Sequence, residues 1–253
     1  MDYHPSTHPP RPPTTEGERL AWLRLLRSRR VGIATFYRML HEHGTATAAL
    51  AALPEVAAGA GVTDYRPCPE GVATKEMKAA RQAGARMVCI GTPDYPAALL
   101  DVPDAPPILW MIGDIQVLQR PMVALVGARN ASSLGLRMAR NMAAELAEAG
   151  YVVVSGLARG IDAATHRASL DSGTVAVMAG GADVLYPAEN ADLGKELTAN
   201  GLRLSEMPMG LQPMARNFPR RNRLISGLAR ALVVIEAAAK SGSLITARTA
   251  LDQ

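Results

Sequence analysis

Residues 122–156 read MVALVGARNASSLGLRMARNMAAELAEAGYVVVSG. MVALVG is an unbroken apolar run of strand length closed by glycine, and YVVVSG is a second. Between them, residues 134–149 repeat apolar side chains at helical spacing. Met138, Met142, Leu146 and Ala149 predict the inward face, and Arg137, Arg140, Glu145 and Glu148 the outward one. Gly150 stops the helix. Strand, helix, strand at this spacing is the unit of a parallel sheet covered on both faces.

The pattern continues downstream. A helix is expected over 161–170, a third strand at TVAVMAGG (174–181), and a helix over 191–200 ended by Gly201. LRLSE (202–206) is a short strand, ALVVIEA (231–237) another, and a helix opens at SGSLITAR (241–248). Ligands of such sheets bind at the carboxyl ends of the strands. Every glycine-rich turn here follows a strand, so all of them gather on that edge.

Upstream the chain changes character. Residues 1–15 hold five prolines and no periodicity, which predicts an extended tail. Residues 16–64 read as a small all-helical domain, with Leu20, Leu23 and Leu26 on one face and Phe36, Met39 and Leu40 on another. Such a module either touches DNA or protein or simply packs, and packing is the commoner role. Residues 65–91 form a proline-containing linker and lead-in, with a helix over 75–83 and a strand over 86–90. The main domain runs from 92 to 253.

Composition bounds the rest. The 253 residues are 48% hydrophobic, enough for a real core, and the net charge of +4 with a pI near 9.3 permits an anionic partner. Cys68 and Cys89 make no disulfide framework, which suits a reducing cytosol. No apolar run approaches a membrane span, and the N-terminus has no signal-peptide core. His41 and His43, two apart on a helix, point to different sides and do not make a metal pair.

One loop is rich in arginine. PMARNFPRRNRLISGLAR (213–230) contains Arg216, Arg220, Arg221, Arg223 and Arg230, no acid, and Phe218 in its middle. Pro213 and Pro219 argue against a helix through its first half, and a helical pattern begins near Asn222. Guanidinium forks suit phosphate, and the phenyl ring suits stacking on an unpaired base. A solvated loop plugged by Phe218 explains the same residues.

Four turns carry possible chemistry. The first, Gly127 to Ser133, opens a helix and favours an anion. It fails the dinucleotide fingerprint, because Arg129 stands where a second glycine belongs and no acid closes the second strand. The second, Ser155 to Asp162, places Asp162 four residues from His166, and a structural hydrogen-bonded pair is the expected role. The third, Gly180 to Pro187, offers close backbone approach and Tyr186. The fourth, Lys240 to Ser243, caps the last helix or binds an oxygen anion. Together with the arginine loop they outline one positive pocket: Gly127, Arg129, Ser132, Gly180, Gly181, Arg216, Phe218, Arg220, Arg221, Arg223, Lys240 and Ser241.

The ordered motifs VALVGARNASSLG, VVVSGLARGIDAATHRASL, TVAVMAGGADVLYPAEN, LSEMPMG, NFPRRNRLISGLARALVVIEA and KSGSLITAR resemble the DNA-processing protein A family (DprA, also called Smf). The resemblance runs from about Thr92 to the end, and residues 16–64 resemble that family's SAM-like domain. It implies an extended Rossmann-like fold that binds single-stranded DNA without nucleotide or metal cofactor. It implies a cytoplasmic, non-enzymatic homodimer that protects incoming DNA in natural transformation and loads the RecA recombinase. By the same resemblance Arg129 takes the place of the arginine in the family's first turn, a DNA-pocket residue, while Gly180, Gly181 and Asp183 fall in its third turn and Phe218, Arg221 and Arg223 in its FxxRNR segment. Where some relatives carry lysine three residues before the phenylalanine, this chain has Ala215 with Arg216 beside it. Relatives continue past the position of Gln253 into a further strand and often a winged-helix domain, and the same is expected beyond this sequence. The alternative reading is a nucleoside-monophosphate phosphoribohydrolase. Those enzymes carry a PGGxGTxxE turn, which the segment from Glu236 through KSGSLITA lacks.

Overall fold

A computed structural model describes residues 11–238 and 241–253. Lys240 lies outside the described residues.

Four helices come first: α1 (Glu16–Arg27), α2 (Ile33–His43), α3 (Ala46–Gly59) and α4 (Glu70–Gln82). Thr15 starts α1 with a capping box, its hydroxyl accepting from Glu18 N while the Glu18 carboxylate accepts from Thr15 N. Trp22, Leu23, Leu25, Phe36, Met39 and Leu53 are buried together, and the Trp22 and Phe36 rings meet edge-on at 5.2 Å. The helix expected over 75–83 starts earlier, at Glu70.

The sheet has seven strands in the order β1-β2-β6-β5-β4-β3-β7. They are β1 (Arg86–Cys89), β2 (Ile108–Gly113), β3 (Met122–Val126), β4 (Val152–Ser155), β5 (Thr174–Val177), β6 (Leu202–Ser205) and β7 (Ala231–Val234). From β6 to β7 all pairs are parallel. β2 joins β6 antiparallel, and β1 joins β2 antiparallel. The strand foreseen in the lead-in is therefore the sheet's edge, not part of a linker. Its partner β2 is reached through the proline-rich segment 90–107, whose one helical turn, a 3-10 turn at Ala97–Asp101, is no crossover helix.

β3, β4, β5 and β6 are buried throughout, which explains the apolar runs in them, while β7 at the other edge is only partly covered. Ala124, Val126, Val152, Val154, Val175 and Val177 face one side, where α8 (Asn217–Leu228) brings Leu224, Ile225 and Leu228. Val123, Leu125, Val153 and Ala176 face the other, against α5 (Ser133–Glu148), α6 (Ile161–Ala168) and α7 (Ala191–Glu196). The last helix, α9 (Gly242–Asp252), packs on α8.

Two expectations change. The buried stripe of α5 is Gly135, Ala139 and Ala143, while Met138 is exposed and Met142 and Leu146 lie partly covered. Small residues let α5 lie close against α6, so the face is set by size as much as by hydropathy. Helix α8 begins at Asn217, five residues before the expected start. Pro219 sits in its first turn, where a missing N–H costs nothing.

Candidate functional site

The site is assembled on the carboxyl edge of the parallel strands, and a buried arginine organises it. Arg221, on the inward side of α8, donates through Nη1 to Gly156 O at 2.6 Å and Val177 O at 2.5 Å. Those carbonyls end β4 and β5, so the side chain ties α8 across two strands. Gly156 makes the approach possible, since a Cβ there would strike the guanidinium. Burial pushes the Arg221 pKa down to about 10, against the pull of Asp162 and with the push of Arg129. Burial likewise raises the pKa of Asp162, while Arg221 lowers it.

Asp162 and His166 do not pair with each other. Asp162 Oδ2 accepts from Gly156 N at 3.1 Å and Ala158 N at 3.3 Å, and His166 Nε2 accepts from Leu157 N at 3.3 Å. With Nε2 an acceptor, the ring proton sits on Nδ1 and goes to Thr174 Oγ1 at 2.9 Å, which donates on to Val153 O. Burial, helped by Arg221, pushes the His166 pKa down to about 3. The three amides of the second turn are thus spent inside the protein. The expected structural role stands with different partners, because a backbone amide lies nearer each side chain than the other side chain does.

Phe218 stands above this base on the first turn of α8, half-buried. The Arg129 guanidinium carbon is 5.0 Å from its ring centroid, that of Arg221 is 6.0 Å away, and the Tyr186 ring lies at 6.2 Å. Arg129 is exposed, so its donors remain open to an anion while its guanidinium carbon sits over the phenyl ring. Cavities of about 330 Å3 and about 530 Å3 flank this pair, and Arg129, Asn130, Ala158 and Phe218 line both. The smaller includes Arg159, Gly180, Tyr186 and Pro213; the larger includes Gly127, Arg221, Asn222, Ser241 and Gly242. Arg129 and Phe218 form a partition between two hollows.

The remaining residues singled out in the sequence divide. Arg216 and Arg220 are exposed at the start of α8. Gly180 lines the smaller hollow, but Gly181 is buried where a Cβ would run into Pro208 O and the Asp183 carboxylate. Ser241 lines the larger hollow and holds the cap position of α9, with its hydroxyl bonded to Ser243 Oγ at 2.8 Å. Ser132 caps α5, and its N–H and hydroxyl both go to the Glu236 carboxylate. Arg223 points away from both hollows. It is buried, 2.8 Å from Asp104 and 2.5 Å from Glu206. Two residues further along a helix than Arg221, it necessarily leaves from a different side.

Arg159 escaped notice in the sequence. It lines the smaller hollow and pairs with Glu189 at 2.6 Å, both side chains being half exposed. The signal was present: it sits in the second glycine turn much as Arg129 sits in the first.

A family model described as DNA recombination-mediator protein A matches residues 86–253. The chain belongs to that family. A second model, the DprA-like N-terminal HHH domain, matches residues 16–79. DNA processing protein DprA of Bacillus subtilis is 38% identical over 180 residues, covering 70% of this chain and 61% of that protein. Protein Smf of Synechocystis is 44% identical over 164 residues, 62% of this chain and 41% of that protein. The chain thus spans roughly half the length of the curated relatives it matches. Among solved structures, DprA from Streptococcus pneumoniae aligns with a TM-score of 0.67 at 38% identity, covering 73% of this chain and 64% of that one. DNA processing protein A from Helicobacter pylori, described for its single-stranded DNA binding mode, aligns at 0.63 and 31% identity, covering 66% and 76%. These matches carry the mixed α/β fold and the helical first domain of the family. Among the described residues no helix is long and apolar enough to cross a membrane, and no His, Cys, Asp and Glu cluster suits a metal.

Proposed function

We propose that this chain binds single-stranded DNA across the Arg129–Phe218 partition and delivers it to a RecA-type recombinase in the processing of incoming DNA. The observation that carries this reading is an exposed guanidinium laid against a half-buried phenyl ring, with a hollow on either side. A single strand passing over it sets a phosphate on Arg129 and a base against Phe218 or Tyr186. Arg216 and Arg220 extend the positive track along α8. Among the described residues these are the two rings that line the hollows, so phosphate supplies most of the affinity and sequence preference is weak. The Helicobacter pylori relative, described for single-stranded DNA binding, supports the same partner here.

The protein acts without nucleotide or metal and as a binder, not an enzyme. His166 is neutral and buried, and both it and Asp162 are engaged with backbone amides, so neither serves as a general base. A cytoplasmic homodimer, as in the resemblance, completes the proposal.

The test is a titration of labelled oligo-dT against the chain, beside its duplex form and beside Arg129→Ala, with no nucleotide or metal present. Tight single-strand binding that the variant weakens is the expected outcome. Equal binding of single strand and duplex, untouched by the variant, would sink the reading. Incubation with nucleoside monophosphates should release no free base.

A further inference from the structure

The turn between β3 and α5 lies at the switch point of the sheet, with β4 on one side of β3 and β7 on the other. In open parallel sheets this crevice receives nucleotide phosphates, because loop amides and a helix N-terminus face it. Here it is closed from within the chain. Just past the end of β7, Glu236 accepts from Ala128 N through its main-chain oxygen at 2.7 Å. Its carboxylate accepts from Ser132 N, at 3.1 Å to each oxygen, and from Ser132 Oγ at 2.7 Å. Ser132 Oγ in turn accepts from Gly135 N at 3.0 Å, so the first turn of α5 reaches the carboxylate through one hydroxyl. Gly135 supplies the room: a Cβ there would overlap Glu236 Oε2.

A carboxylate uses the same donors as a phosphate. With Ser132 N and the Ser132 hydroxyl committed to it, an incoming small anion meets a resident negative charge where those two donors would otherwise be free, while Ala128 N stays with the Glu236 main-chain oxygen. The arrangement is only partly covered by solvent-excluding neighbours, so it is a competition and not a sealed core.

We propose that Glu236 is a specificity-determining residue that closes the β3–α5 turn to small phosphates, both inorganic phosphate and nucleoside monophosphates. A bound strand then has its phosphates only at the arginines around Phe218. That last consequence rests on the single-strand reading; the exclusion itself does not.

Inorganic phosphate and AMP are titrated by calorimetry into the native chain, Glu236→Ala, and Glu236→Ala combined with Ser132→Ala. Folding is followed by circular dichroism and oligo-dT binding is measured beside them. Emptying the seat should tighten phosphate and AMP binding by about tenfold or more over the native chain, the scale of an anion at a partly buried helix start. Removing Ser132 as well should return binding to the native level. If Glu236→Ala does not fold, the uncharged and isosteric Glu236→Gln should show a smaller gain of the same sign. A purely structural role would lower the melting temperature without moving either titration. No gain in a folded Glu236→Ala or Glu236→Gln, or a gain that survives the loss of Ser132, overturns the proposal. Gained phosphate binding with no oligo-dT binding by the native chain would support it while sinking the single-strand reading.

Discussion

Phe218 and Arg223 lie five residues apart on one helix and answer to different tests. Replacing Phe218 by alanine removes a stacking surface, which costs about 1–3 kcal/mol per base, roughly a 5- to 150-fold loss of oligo-dT affinity. Its ring is only partly covered and belongs to none of the apolar core clusters, so the melting temperature should hardly move. Arg223→Ala should do the reverse. It leaves Glu206 buried and unpaired, at a cost of about 3–5 kcal/mol, with oligo-dT affinity of the folded fraction unchanged. Urea denaturation and fluorescence anisotropy separate the two; a binding defect in Arg223→Ala at full folding would return it to the DNA surface. His166 makes a third prediction. Its pKa falls from 6.5 to about 3 on folding, so the unfolded chain takes up the proton first. Its contribution to stability is therefore complete above pH 6.5 and is lost as pH falls toward 3. Asp162 and Glu206, both raised by burial, work in the opposite sense in acid, so a variant is needed to isolate the histidine. Between pH 7 and pH 5 the native chain should lose about 2 kcal/mol more stability than His166→Gln. Equal losses would contradict the buried neutral imidazole.

At the scale of elements, Glu76 joins parts that the sequence shows as separate. Its carboxylate accepts from Arg27 Nε at 2.9 Å and Nη2 at 2.8 Å on α1, from Trp110 Nε1 at 3.0 Å on β2, and from Met209 N at 3.3 Å. The loop holding Met209 runs on to Gly210 and Leu211, which bond Asp183 and Gly181 of the third turn. Glu76→Ala should destabilise the chain by about 3–5 kcal/mol, since Arg27 and the indole N–H lose their partner in a largely buried place. Urea denaturation checks it, and a loss under 1 kcal/mol would mean that Glu76 is not what holds the helical layer to the sheet. Nothing in the local pattern around EMKAAR announces such a junction. What was legible is what repeats: the valine runs, the helices between them and the glycine turns on one edge all follow from period and punctuation. The antiparallel edge was not, because β1 and β2 pair across an irregular proline-rich segment. The buried face of α5 was misjudged because a stripe of Gly135, Ala139 and Ala143 carries little hydropathy. Arg129 and Phe218 were visible as residue types. That Arg221 faces inward and Arg129 outward was not, because arginine reads the same in either place until the strand ends that accept its protons are known.

For the whole molecule the question is whether binding follows net charge or placed charge. The chain carries only +4, and several arginines are already committed: Arg221 to strand-end carbonyls, Arg223 to Glu206 and Asp104, Arg27 to Glu76 and Arg159 to Glu189. Arg129, Arg216 and Arg220 are exposed around Phe218. Three phosphates neutralised on a single strand give a slope of log affinity against log salt of roughly −2, at about −0.7 per contact. If Arg159 exchanges Glu189 for a phosphate, the slope steepens toward about −3. Diffuse attraction predicts something else: removing any one surface arginine then has the same small effect. The experiment is an oligo-dT salt titration of the native chain, Arg216→Ala/Arg220→Ala, and a control at Arg140 on the outer face of α5. The double variant should flatten the slope to about −0.7, leaving Arg129 alone, while Arg140→Ala should leave it unchanged. Equal flattening by Arg140→Ala would show that the bound strand has no fixed track on this surface.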